Sequence, residues 1–176
     1  MDRDFVTLCG LNKYLMFMNK ALVLKKIVRA LEEHLEVLAR AAHASHMEAT
    51  HESSKAESKY DTRGLEASYL AGGQARQARD ILEAIKQYQA LPAREFGPDD
   101  AIDIGALVKL QTNTTSTLFF LGPKSGGLEI ELEGEEITVV TPQSPVGQNI
   151  IGKKAGERWT AKQNGSVVKY CAMKVW

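Results

Sequence analysis

At 176 residues, 44% hydrophobic and 25% charged, the chain has an ordinary globular composition, with room for one good core or two small units. Its 22 Lys and Arg balance 22 Asp and Glu, so it has no overall positive charge with which to coat nucleic acid, whose affinity rests on neutralising phosphates. Cys9 and Cys171 lie far apart with no Cys-x-x-Cys spacing, which supports neither a disulfide framework nor a zinc knuckle and makes a reducing cytoplasm the default.

The first stretch, FVTLCGLNKYLMFM, is apolar but is preceded by Asp2 and Asp4 and interrupted by Asn12 and Lys13. It is too short for a membrane span and lacks the small-residue cleavage site of a signal peptide. Strong periodicity starts only at MNKALVLKKIV, so residues 1–18 are expected to be an extension outside the fold's minimum.

From Leu24 the apolar positions step by four and three through Val28, Leu31, Leu35, Leu38, Ala42, Ser45 and Ala49. That heptad-like stripe predicts a helix wound against another. Its residues shrink along the way, so the partner helix is expected to approach more closely at the far end. A second stretch, about Glu57 to Leu91, carries Ser68, Ala71, Ala75 and Ala78 and then Leu82 and Ile85, the same gradient reversed. Between them, in HESSKAES, Ser54 and Glu57 fit a capping box. Residues 19–91 therefore predict an antiparallel coiled-coil hairpin with its tip around Thr50–Ser54 and arms of about 45 Å, at roughly 1.5 Å per residue. Gly72 and Gly73 fall inside the second helix, where close packing or a local bend is the expected reason.

Leu91-Pro92 stops the helix, and 92–97 reads as a polar linker. Beyond it the period becomes two. AIDIGALVKL, STLFFLG, LEIELEGEEITVV, RWTAKQ and SVVKYCAMKVW predict strands, with Asn164-Gly165 as a type I′ turn, and so a mainly antiparallel β domain over 98–176. The fold class expected is α+β. Glu129, Glu131, Glu133, Glu135 and Glu136 alternate with apolar residues, as on a solvated strand face.

One stretch fits neither period: Thr141 to Trp159, TPQSPVGQNIIGKKAGERW. Its core, SPVGQNIIGKKAGE, with the domain order of helical hairpin then β domain, resembles the bacterial Gre transcript-cleavage factors. Their C-terminal unit carries a Ser-Pro-hydrophobic turn, a short helix, a Leu or Ile-Gly-Lys run and a Gly-Asp/Glu turn. The resemblance implies an FKBP-like β domain that docks, as a monomer, at the rim of the secondary channel of RNA polymerase. The hairpin then enters the channel, meeting nascent RNA, and acidic tip residues help hold a Mg2+ ion shared with the polymerase, which itself performs the cleavage. No tightly bound cofactor is implied, and the factor is not itself an enzyme. On this chain Ser144 and Pro145 become the docking candidates, with Gln143 where the family often has an acidic or amide residue, and Ile150 and Ile151 are expected in the core. Aligning Tyr60 on the family's Asp-x-x-Glu-Asn-Ala-Glu-Tyr-like tip leaves Ser53 and Ala56 at the two key acidic places. Glu52, Glu57 and Asp61 are the nearest acidic candidates, with Glu52 and Glu57 as the Mg2+ ligands. The alternative within this family is a channel-binding regulator that does not cleave.

Other constellations carry less. His43, His46 and His51, with Glu48 or Glu52, have helical spacing for a metal, but solvated imidazoles are the simpler reading. Arg63, Arg76, Arg79 and Lys86 could form a basic face on the second helix or be solvated residues. Gly126-Gly127 lacks the strand-to-helix context of a phosphate loop. A prolyl isomerase would need an aromatic-lined pocket, and only Phe119, Phe120, Trp159, Tyr170 and Trp176 are available for one.

Overall fold

The computed structural model describes residues 19–50, 63–113, 115–163 and 166–176, with the backbone alone at 46–50, 63–69, 163 and 166. Helices α1 (Lys20–Thr50) and α2 (Arg63–Ala90) are followed by β1 (Leu107–Gln111), β2 (Ser116–Leu121), β3 (Glu129–Leu132), β4 (Glu135–Val140), α3 (Pro145–Ile150), β5 (Arg158–Gln163) and β6 (Ser166–Val175). The fold is α+β, a helical region and then a single sheet. No helix among the described residues is long and apolar enough to cross a membrane. The chain divides into two compact units, Val28–Lys86 and a second built from the described residues up to Ile27 together with Gln87–Trp176. Residues 1–18, residues 51–62, in which most of the expected hairpin tip falls, and Asn164-Gly165 lie outside the described residues.

In the helical unit Leu31, Ile81, Ala84 and Ile85 are buried. Of the second stripe, Ile85 is buried as expected and Ala71, Ala75 and Ala78 line a groove facing α1, while Leu82 departs from it. Ile81 and Ala84 are inside where Leu82 was expected, and Leu82 is 45% exposed, because each residue turns the helix by about 100° and Leu82 falls outside the arc that holds Ile81, Ala84 and Ile85. Towards the small-residue end the helices do not close fully. They leave an apolar groove of about 360 Å³ between Leu35, Leu38 and Ala42 on α1 and Leu70, Ala71 and Ala75 on α2. Gly72 and Gly73 are exposed, and a Cβ at either would meet nothing within 4 Å, so close packing does not explain them.

The other unit is organised by its sheet, ordered β3-β4-β2-β1-β6-β5, antiparallel throughout except for the parallel β2–β4 pair. Its register places Leu107, Leu118, Phe120, Ile137 and Val139 on one face and Val108, Leu110, Leu121, Val140, Tyr170 and Ala172 on the other. All eleven are buried, so the central strands are covered on both sides. On the second face Phe96, Ile102 and Ile150 complete the cluster. On the first, the Tyr88 ring lies 6.4 Å from Phe120 and its hydroxyl donates to the Lys124 carbonyl at 2.6 Å. Gly122 leaves room for that hydroxyl; a Cβ there would collide with it.

The start of α1 is tied to the same unit. Asn19 caps the helix, its Oδ1 accepting from the Ala21 and Leu22 amides at 3.0 and 3.3 Å. Lys20, Val23 and Ile27 are buried, one position earlier than the expected Leu24 and Val28, which are half-buried. Lys20 is 2% exposed; its Nζ donates to the carbonyls of Gly105 at 3.2 Å and Trp176 at 3.0 Å and lies 4.4 Å from the Phe96 ring centroid. With Lys20 at the start of α1 and Tyr88 at the end of α2 both anchored in this unit, the two helices run antiparallel.

Two predictions follow from this geometry. Gly72→Ala and Gly73→Ala should each stabilise the helical unit by about 1 kcal/mol, since alanine restricts the unfolded chain and meets no obstacle in the helix; urea denaturation followed by circular dichroism measures it. Burial lowers the Lys20 pKa from 10.5 to about 8, partly opposed by Glu95 and reinforced by Arg94. The folded state therefore binds fewer protons than the unfolded state between those values. Relative to Lys20→Met, the wild type should gain thermal stability as pH rises from about 8 to 10.5, and lose that gain as pH falls back through 8. A melting series from pH 7 to 10 on both proteins reads it.

Candidate functional site

The Ser-Pro segment follows β4 directly. Its geometry starts from the Thr141 carbonyl, which accepts from the Ser144 amide at 2.9 Å and the Ser144 hydroxyl at 2.8 Å. Ser144, extended at φ −69° and ψ 152°, is the N-cap of α3, and its Oγ accepts from the Gly147 amide at 3.0 Å. Pro145 occupies the first helical turn, where its missing N–H costs nothing and its fixed φ suits the helix. The Gln148 amide closes the first helical bond on the Ser144 carbonyl at 2.9 Å.

Gly147 is required by close approach. A Cβ on it would collide with the Thr141 carbonyl oxygen and come within 2.8 Å of its carbon. Because both atoms are backbone, neither can swing aside. The spacing Thr-x-x-Ser-Pro-x-Gly is thus one device: serine turns the chain over the carbonyl, and glycine lets the helix lie on it.

Two side-chain amides brace the turn, Asn149 Nδ2 donating to the Pro145 carbonyl at 2.7 Å and Gln148 Nε2 to the Gln143 carbonyl at 3.1 Å. The exit is locked to the core: Gly152 N donates to Ile102 O at 2.8 Å, and Ile102 N to Lys153 O at 2.7 Å. The basic run then curls on itself. Lys153 Nζ pairs with Glu157 Oε1 at 2.7 Å while the Lys154 amide donates to Oε2 at 3.1 Å, and these bonds, Lys153 foremost, hold the Glu157 carboxyl below its usual range. At Gly156, φ 79°, the amides of Gly156 and Ala172 bond to Ala172 O at 2.6 Å and Glu157 O at 3.0 Å, the two-against-one pattern of a glycine bulge that starts β5.

The outcome for the docking candidates is mixed in kind. Gln143 and Pro145 are exposed, while the Ser144 hydroxyl is used twice within the turn, so serine shapes the surface from beneath. Ile150 is fully buried, as expected, but Ile151 is 39% exposed. Ile151 is the C-cap, where the chain leaves helical geometry at φ −57° and ψ 136°, so the buried row of Gly147 and Ile150 does not extend to it. Sequence reasoning passed over Gly147, Gln148 and Asn149; the glycine two residues after the proline was the readable signal, because an N-capped turn brings that position onto the preceding carbonyl.

Glu52, Glu57 and Asp61 lie outside the described residues, as does His51, and the His46 side chain is not described; His43 is exposed. Among the described residues no group of three His, Cys, Asp or Glu is placed to hold a metal. Arg76, Arg79 and Lys86 are exposed, with Arg79 Nε bonded to the Ala75 carbonyl at 3.2 Å, and Arg63 is described by its backbone alone. Of the aromatic residues, Phe120 lies on one sheet face, while Phe119, Trp159 and Tyr170 belong to the cluster on the other, with Trp159 stacked on Tyr170 at 5.6 Å. Cys171 is buried.

No protein-family model matches the chain, and no curated protein matches it significantly. Solved structures similar to it include Gfh1 of Thermus aquaticus, at 17% identity and a TM-score of 0.35 over 89% of this chain and 94% of that one. GreA factor homolog 1 of Thermus thermophilus matches at 15% identity and 0.33 over 85% and 94%. A prokaryotic transcription elongation factor GreA/GreB from Nitrosomonas europaea matches at 16% and 0.32 over 66% and 94%.

Gly147→Ala should destabilise the sheet unit by about 3 kcal/mol or more, because the new methyl meets rigid backbone, whereas Ser144→Ala should cost about 1 kcal/mol through the lost cap. Guanidinium denaturation of both variants checks the order and the gap.

Proposed function

We propose that this chain is a Gre-type transcription elongation factor. In this reading it binds RNA polymerase through the β domain, with the Ser144-capped turn as part of the docking surface. The helical hairpin enters the secondary channel and modulates elongation, and the protein works as a cytoplasmic monomer. The observation that carries the reading is the segment Ser144–Glu157. It reproduces the family's Ser-Pro turn, short helix, Ile-Gly-Lys run and Gly-Glu turn in sequence, and each of those residues has a definite mechanical task in the fold. The order of the elements, two long helices and then the sheet, supports it.

The chemistry at the far end would be borrowed. A carboxylate supplied in trans beside the polymerase's own Mg2+ can help fix a second metal ion and its water, which is how two-metal sites cleave phosphodiesters. Glu52, Glu57 and Asp61 are the residues proposed for that role, with Glu52 and Glu57 nearest the metal. A second reading, a channel-binding regulator without cleavage activity, is favoured by one feature: Ser53 and Ala56 stand where the family's tip motif has its acidic pair.

A stalled, backtracked elongation complex separates the two. With the wild type, shortening of the 3′ end of the RNA is expected, and each of Glu52→Ala, Glu57→Ala and Asp61→Ala should leave polymerase binding intact while reducing it, at least one by tenfold or more. Binding without shortening would establish the regulator. Absence of binding to polymerase would overturn the proposal as a whole.

A further inference from the structure

The buried core of the helical unit ends partway along it. Leu31 on α1 and Ile81, Ala84 and Ile85 on α2 are buried, but none of the described residues 32–45 and 70–80 is. Leu35, Leu38, Ala42, Gln74 and Ala78 reach only half-burial there, and Leu70 stays 58% exposed. Alanines are too small to close the seam between the helices. What remains is the apolar groove of about 360 Å³, which runs over Leu35–Ser45 on α1 and Leu70–Ala78 on α2.

Gly72 and Gly73 fall within that same span of α2. Both are exposed, and since a Cβ on either would meet nothing within 4 Å, no packing contact calls for them. One length of the helix pair is therefore weak in two independent ways. Inside, the seam lacks side-chain volume; outside, two adjacent residues lack the Cβ that restricts a helical backbone, at about 1 kcal/mol each against alanine. Glycine is among the few identifiable places where a helix yields. Neither segment can rely on its partner's absence, because a helix without tertiary packing is marginal in water. Release of one should therefore release the other.

We propose that the helix pair contains a built-in joint: residues 35–45 and 70–78 open together as a separate cooperative unit, yielding at Gly72-Gly73, while Leu31, Ile81, Ala84 and Ile85 keep the large-residue end closed. Segments with few buried apolar contacts and exposed backbone hydrogen bonds are the ones that open ahead of the rest of a fold, and the end of the core at Leu31 and Ile81 sets the boundary here. In the elongation-factor reading the joint would let the hairpin adapt inside a channel without loosening its large-residue end. The joint itself does not depend on that reading, because it needs no partner.

Native-state hydrogen exchange of the full chain alone, read by mass spectrometry, tests it. In the wild type the amides of 35–45 and 70–78 should show similar protection, about tenfold or more below that of 24–31 and 81–88. The double variant Gly72→Ala, Gly73→Ala should slow exchange in both segments by about tenfold or more, α1 included, although the added methyl groups meet no other atom within 4 Å. Ala75→Leu, which adds volume on the groove wall, should also slow both segments and leave 81–88 unchanged. Equal protection at both ends of the wild type would overturn the proposal. Slowing confined to α2 in the double variant would overturn it as well, because the helices would then fray one at a time instead of opening as a unit.

Discussion

Burial of β1 and β2 on both faces is the constraint on which the sheet unit depends. An antiparallel sheet can leave one face to water, but Leu107 and Phe120 point one way and Val108 and Leu121 the other, and all four are buried. Each face needs a cover from outside the strands. One is closed by Phe96, Ile102 and Ile150, which brings the linker and α3 onto it. Against the other lies Tyr88, from the last turn of α2. The covering of the sheet thus decides where the Ser-Pro turn sits and what holds the helix ends.

The polar groups follow from the same constraint. Apolar cover excludes water, so backbone carbonyls at the rim must find donors inside the protein. Tyr88 supplies one for Lys124, and Lys20 supplies one each for Gly105 and Trp176. Lys20 does so at a cost, because burial disfavours its charge; the Phe96 ring and the two carbonyls offset part of it. The Thr141 carbonyl is satisfied locally, by Ser144, and that local solution is also what lifts α3 into place.

The Ser-Pro turn divides its residues between two tasks. Residues that build the turn, Thr141, Ser144, Gly147 and Asn149, spend their polar groups or their space on one another. Gln143, Pro145, Gln148, Ile151 and Lys154 are the ones left exposed. A serine that looks like a contact in the sequence is a scaffold in the fold, and an isoleucine that looks like core is surface.

Much of the fold was legible in the chain itself. Period two marked the strands, period near 3.5 marked the helices and Leu91-Pro92 marked the break between them, because each of these depends on interactions within a few residues. What could not be read locally was which of two adjacent apolar residues faces inward: Val23 or Leu24, Ile81 or Leu82, Ile150 or Ile151. An amphipathic pattern defines a stripe about 100° wide, and the choice within it is made by what packs opposite. Nor did any local signal announce that Lys20 would be buried, since the carbonyls that receive it lie 85 and 156 residues away. The sequence by itself determined the elements and the turn; the tertiary structure alone decided which side chains those elements hide, because burial is a property of contacts between distant segments.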